Sequence, residues 1–285
     1  MQCYQIQTGE WKEKSTKRTL SARGWNQLIV SGQVDDSLET GFSKVESSMP
    51  AVFEALENAA RLPSTQLPQA VYENMCWYCT FLHGTSPFAK AKAAVDFIMQ
   101  VDSELGKGKG DSLRDVLNMP EATIDKCRKA HSSGRRIIID SEDYLQLVYR
   151  IQFRRSYQGN FSKFRYVVRW TICNSPIELP ISDMALVDIP RNDRTAVYFI
   201  LPVGPHLLLK GLIECGPQQP SSQTTIKTEN LTTAEAEDWL DVMCLSAVTE
   251  LVCSRRIYDV QTNSRVWMKM RDLQFDARIP ISPAK

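Results

Sequence analysis

The sequence predicts an α+β fold, with helices packed against a mostly antiparallel sheet. Three observations carry this. The central third of the chain holds apolar residues at helical spacing, the stretch after Gln158-Gly159-Asn160 alternates with a period of two, and helices and strands are segregated along the chain. Segregation of that kind argues against alternating βαβ units. The predicted organisation is one domain over 1–260, with a β-hairpin over 1–30, a helical part over 31–160, and a sheet with a closing helix over 161–260. Residues 261–285 form a C-terminal extension.

The elements follow in order. "CYQIQTGEWKEKS" reads as a hairpin turning near Thr8 and Gly9, with Tyr4 and Ile6 on one face. In 37–60, Leu38, Phe42, Val45 and Met49 keep helical spacing, and Pro50 is expected to kink or split the run. "LPQAVYENMCWYCTFLHG" is a second helix, ending near Gly84. "SPFAKAKAAVDFIMQVDSELG" is a third, with Ser86 as N-cap and Pro87 in the first turn. "GKGKG", 106–110, is a connector that does not meet the phosphate-loop pattern. Residues 112–134 give two short helices. Ser141 caps another, "SEDYLQLVYRIQFRRSY", with Tyr144, Leu147, Val148 and Ile151 as its apolar stripe.

From "KFRYVVRWTI", 163–172, the period is that of a half-buried strand. Phe164, Tyr166, Val168, Trp170 and Ile172 point one way, and Lys163, Arg165 and Arg169 point the other. "LPISDMALVDIP", 179–190, reads as a buried strand with an anomalous charge, Asp183. "TAVYFIL" and "HLLLKGLIEC" flank a "PVGP" turn. "GPQQPSSQTTIKTEN" is expected to be a mobile loop. "TTAEAEDWLDVMCLSAVTELVCSRR" is expected to be one long helix, opened by a Thr232/Glu235 capping box and lined by Ala236, Leu240, Met243, Ala247 and Leu251.

Composition sets limits on function. The 285 residues are 43% hydrophobic and 24% charged, with a formal net charge of +1, so binding to an anionic partner must come from a local patch and not from a global field. No apolar run is long enough for a membrane span, no signal peptide is evident at the start, and eight cysteines without a leader read as reduced thiols. The expected location is cytoplasmic, with no membrane partner. Cys76 and Cys79 form a C-x-x-C with no second pair, which reads as core packing more readily than as a zinc or redox site. The pattern calls for no cofactor and no metal, and oligomeric state is left open.

The basic stretch is the most informative feature. Between Tyr144 and Ile177 there is no acidic residue, while Arg150, Arg154, Arg155, Lys163, Arg165 and Arg169 are interleaved with aromatics that include Tyr157 and Tyr166. Arginine with aromatics is chemistry that holds phosphates and stacks bases. A solvated helix end beside a solvated strand face would give the same pattern. His83 and His131, at helix ends, read as capping residues. Ser182, Asp183 and His206 contain the residue types of a triad, but no Gly-x-Ser-x-Gly elbow exposes the serine, and adjacent extended residues point to opposite faces.

Three stretches resemble the family called domain of unknown function 4238. They are "YQIQTGEWKEKSTKRTLSARGW" with "DSLETGFSKVESSMPAVFEAL"; "ENMCWYCTFLHGTSPFAK"; and "LPISDMALVDIP", "YFILPVGPHLLLKG" and "NLTTAEAEDWL". The likeness covers roughly residues 1–256 and implies no established activity. Two features depart from the family pattern. The expected His-His-x-x-Pro-x-x-Tyr-Leu segment before the hairpin is absent, and the proline of Ser-Asp-x-Pro is replaced, leaving Ser182-Asp183-Met184-Ala185. The resemblance places Asp183 at a strand end. There it either accepts backbone N–H groups or meets Arg165 or Arg169.

Two functions follow as expectations. One is a non-enzymatic module binding nucleic acid, another anionic ligand or a protein partner through the Arg/aromatic surface, with Arg150, Arg154, Arg155, Tyr157, Arg165, Tyr166, Arg169 and Ser182 in contact. The other is a nuclease-like enzyme of nucleic acids or phosphate esters, or a degenerate form of one, with Asp183 and His206 as its catalytic pair.

Overall fold

The computed structural model describes residues 2–5, 10–13, 28–30, 33–35, 37–109, 113, 121–135, 137, 157–182, 185–190, 196–214, 224–246 and 250–253. The strands are β1 (Gln2–Gln5), β2 (Glu10–Glu13), β3 (Leu28–Val30), β4 (Gln33–Asp35), β5 (Ser64–Gln66), β6 (Arg169–Asn174), β7 (Ile181–Ser182), β8 (Val187–Pro190), β9 (Ala196–Gly204), β10 (Leu207–Glu214), β11 (Thr225–Asn230) and β12 (Glu250–Cys253). The helices are α1 (Ser37–Ala59), α2 (Gln69–Thr85), α3 (Pro87–Gly106), α4 (Glu121–Ser132), α5 (157–166) and α6 (Thr233–Ser246).

A six-stranded sheet in the order β5-β11-β6-β10-β9-β8 forms the centre. It is antiparallel throughout except that β11 runs parallel to β6. A second sheet, β2-β1-β12-β7, brings the N-terminal hairpin against the end of the described chain, and β3-β4 is a separate ribbon. The fold is therefore α+β, as the segregated patterns predict.

The alternation of the long strands decides what each face of the central sheet buries. Leu207, Leu209, Trp170, Ile172, Phe199 and Leu201 face a core shared with α1, α2 and α5. Leu208, Cys173 and Ile200 face the opposite way, against Leu240, Met243 and Cys244 of α6, with Trp11 of β2 packed beside them. A third cluster joins Phe97 and Val101 of α3 to Ile124 and Cys127 of α4, with Leu113 and Ile137 packed in from outside both helices.

Local chemistry explains the helices. In α2, Tyr72, Met75, Cys76, Cys79 and Thr80 are buried, a stripe at three- and four-residue spacing. Cys76 and Cys79 thus lie inside the core; burial pushes the Cys76 thiol up to about 12 and raises Cys79 as well. α1 continues through Pro50 unsplit, because Met49, Val52, Leu56 and Ala59 bury one continuous face on both sides of it. The α6 capping box forms as expected. The Thr232 N–H and hydroxyl each donate to the Glu235 carboxylate at 2.8 Å, and the Glu235 N–H donates back to Thr232 Oγ1 at 3.3 Å.

Four expectations are corrected. Residues 163–166 are helical, not extended. Phe164, Tyr166 and Val168 alternate as a strand would, while Tyr157, Phe161 and Phe164 recur at helical four- and three-residue steps, and packing on α2 selects the helix. The strand begins only at Arg169. Residues 179–190 are not one strand but two, β7 and β8, which join different sheets. Residues 225–230, expected in a loop, form β11. Its single buried side chain is Ile226, and hydrogen bonding to β6 and β5 on both sides supplies the order that its apolar content does not. The long final helix stops at Ser246, and Glu250–Cys253 crosses to pair with β1 and β7. The expected helix over 141–157 lies outside the described residues except for Tyr157.

Candidate functional site

The Arg/aromatic surface is built by α5 against α2. Tyr157, Phe161 and Arg165 lie one turn apart along α5, so they share one line of the helix. Trp77 of α2 stacks on Phe161 (centroids 3.9 Å apart, planes 13° apart) and on Tyr157 (5.8 Å). The Arg165 guanidinium sits 4.8 Å from the Tyr166 ring centroid and 5.8 Å from that of Phe161. All of these side chains are half-buried.

The charges of this surface are partly answered from within. Arg165 Nη2 meets Glu73 at 2.6 Å, and Gln69 Nε2 donates to the same carboxylate at 2.6 Å. Arg165 Nε is buried and has no hydrogen-bond partner. Arg169 Nη2 meets Glu214 of β10 at 2.5 Å, with both side chains more than half exposed. The two arginines expected to offer themselves to Asp183 are thus paired with Glu73 and Glu214. Arg150, Arg154, Arg155 and Asp183 lie outside the described residues.

The remaining expected site residues are dispersed. His206 is exposed in the turn before β10, its Nδ1 3.2 Å from the Ser175 carbonyl. Arg169 pairs across the sheet with Leu212, so about 20 Å of strand separates the two positions, and they do not share a cleft. Ser182 is buried on β7, its hydroxyl 3.5 Å from that of Ser246 at the end of α6.

One cluster escapes the sequence reading. His83 near the end of α2, Lys163 of α5 and Asp188 of β8 meet over Phe164 and Phe199. His83 Nε2 lies 3.9 Å from Asp188 Oδ2, an ionic contact when the ring is protonated, and its buried Nδ1 has no hydrogen-bond partner. Lys163 Nζ lies over the Phe199 ring, 4.6 Å from its centroid. Loss of hydration lowers the Lys163 ammonium pKa, against the pull of Asp188; the neighbouring His83 holds the Asp188 carboxyl below its usual range. His83 therefore ties edge strand β8 to the helical layer and is not a helix cap. No local spacing signals this, because 105 positions separate His83 from Asp188. His131, also expected to cap, instead bonds through Nδ1 to Asp102 at 2.9 Å.

Among the described residues, no helix is long and apolar enough to cross a membrane, and no group of three or more His, Cys, Asp and Glu is placed to hold a metal. Comparison of the chain with protein-family models, with curated proteins and with solved structures finds no match.

Proposed function

We propose that this chain is a non-enzymatic binding module that holds single-stranded nucleic acid along α5. The observation that carries the reading is the row Tyr157, Phe161 and Arg165, flanked by Trp77 and Tyr166, which combines π surfaces with a guanidinium on one half-exposed strip. Bases stack on such side chains without strong sequence preference, and cations track the backbone. The internal pairing of Arg169 with Glu214 is little obstacle. Exposed pairs contribute only about 0–1 kcal/mol, so an incoming phosphate displaces Glu214 at small cost. Arg150, Arg154 and Arg155 precede this strip in sequence and extend the basic run. Kinship with domain of unknown function 4238 is part of the proposal, and that kinship implies no activity.

The test is fluorescence anisotropy with labelled single-stranded RNA and DNA at rising salt. Saturable binding is expected, with log affinity falling against log salt by about 0.7 per phosphate contacted. Tyr157→Ala should cost about 1–3 kcal/mol if that ring stacks a base. An Arg154/Arg155/Arg165→Gln variant should lose most of the salt dependence. Affinity that ignores both salt and these substitutions would remove the reading. Turnover of the labelled strand, lost in Asp183→Ala, would replace it with the nuclease-like alternative.

A further inference from the structure

The α3–α4 pair carries a second concavity, remote in sequence from the strip on α5. Its volume is about 550 Å³, and among the described residues it is lined by Ile98, Met99, Asp102, His131, Gly134, Arg135 and Ile137. Backbone geometry fixes one wall. Gly134 has φ +64°, its N–H donates to the His131 carbonyl at 3.0 Å, and the Arg135 N–H donates to the Ala130 carbonyl at 2.9 Å. This is a Schellman ending, which terminates α4 and sets the direction in which the chain leaves at Arg135.

The side chains divide into two kinds. Arg135, just beyond the end of α4, is exposed, and its guanidinium meets no carboxylate among the described residues, unlike Arg128 within α4, which pairs with Glu121 and Asp125 at 3.2 Å each. Asp102 engages His131 Nδ1 at 2.9 Å, which orients the ring and leaves Nε2 as its other polar atom. Beside these polar groups the lining is apolar: Ile98 and Met99 lie one turn from Asp102 on α3, and Ile137 follows Arg135 by two positions. Met99 is 66% exposed among the described residues, so its thioether chain is open to contact from the concavity. A guanidinium without a carboxylate partner among the described residues, an oriented imidazole and apolar side chains lining one concavity select a ligand with an oxyanion at one end and a short hydrocarbon body.

We propose that the cavity between α3 and α4 binds a small aliphatic carboxylate, with Arg135 taking the carboxylate in its planar fork, His131 beside it, and Met99 and Ile98 covering the chain. The fork of a guanidinium matches two carboxylate oxygens, which gives the head group orientation as well as charge pairing.

Hexanoate is the probe, titrated by calorimetry into the full chain, with acetate (the head alone) and 1-hexanol (the body alone) as comparisons. Saturable hexanoate binding is expected at millimolar concentration or below, with both comparison compounds at least about tenfold weaker, because each lacks one of the two interactions. Arg135→Gln should weaken hexanoate about tenfold, the scale of one charge-assisted contact, and Met99→Ser should weaken it severalfold. Arg128→Gln should leave it unchanged, and the His131 Cε1–H resonance should shift on titration. Far-UV circular dichroism of each variant separates lost binding from lost folding. Absence of saturable binding up to about 10 mM, an energy too small for a built site, would overturn the proposal. So would equal affinity in a folded Arg135→Gln variant, or equal affinity for acetate.

Discussion

Gly211→Ala gives the sharpest test of the central packing. Gly211 lies opposite Trp170 across β10 and β6, and a Cβ there would stand 2.6 Å from Val168 Cγ1 and 2.8 Å from Trp170 Cζ3. Neither neighbour is free to give way. Val168 is 4% and Trp170 5% exposed, and the indole N–H donates to the Phe164 carbonyl at 3.1 Å, which pins the ring over the glycine. Two effects compete. Alanine gains roughly 0.5–1 kcal/mol over glycine within a strand through reduced backbone freedom. Overpacking a tight core costs about 1–3 kcal/mol, and moving the indole puts at risk a buried hydrogen bond whose net value is about 1 kcal/mol. The clash wins, and the expected net loss is about 1–3 kcal/mol. Urea unfolding followed by tryptophan fluorescence reads this as a lower midpoint at unchanged slope. In a Trp170→Val background the loss should shrink, since the smaller side chain vacates the space, and the difference between the two backgrounds measures the coupling. An unchanged or raised midpoint in Gly211→Ala would refute the packing argument.

Two further outcomes are expected. The Glu235 carboxyl is held below its usual range, chiefly by the backbone N–H of Thr232 and then by its hydroxyl, so its contribution to stability is present above the unfolded-state pKa and is lost as pH falls through the lower folded value. Urea midpoints measured across the acid range should therefore fall less steeply in Glu235→Gln than in the parent, and identical slopes would count against the capping box. Cys76 and Cys79 are buried, and burial holds both thiols protonated at neutral pH, so neither should react with iodoacetamide in the native state while both react in urea. Peptide mass spectrometry reads the difference; native labelling of either would contradict their place in the core.

Much of the fold was legible because its signals are local. The hairpin of β1 and β2, helices α1 to α3, the β9–β10 pair and the start of α6 all follow from spacing, proline placement and the Thr232/Glu235 pair. The misreadings fall where two local patterns coexist or none is strong. Tyr157, Phe161 and Phe164 keep helical spacing while Phe164, Tyr166 and Val168 keep that of a strand, and Thr225–Asn230 contains one buried apolar residue. Glu250–Cys253 follows a helix directly enough to read as its continuation, yet its pairing with β1 joins opposite ends of the described chain. The candidate site was legible only in its composition. Arginines and aromatics were evident in the run 144–177; their counter-ions Glu73 and Glu214 were not, because each lies on another element.

By itself the sequence determined which residues are apolar, where α1, α2, α3 and α6 begin, and that a basic aromatic run exists. These depend on neighbours within a turn or two, whose energetics the chain carries locally. Tertiary structure alone decided that Arg165 and Arg169 are paired, that His206 lies far from Arg169, and that His83, Lys163 and Asp188 meet. Those outcomes depend on strand order and helix placement, which arise when apolar faces from distant segments are buried together, and charged groups then take whichever partners that burial brings within reach.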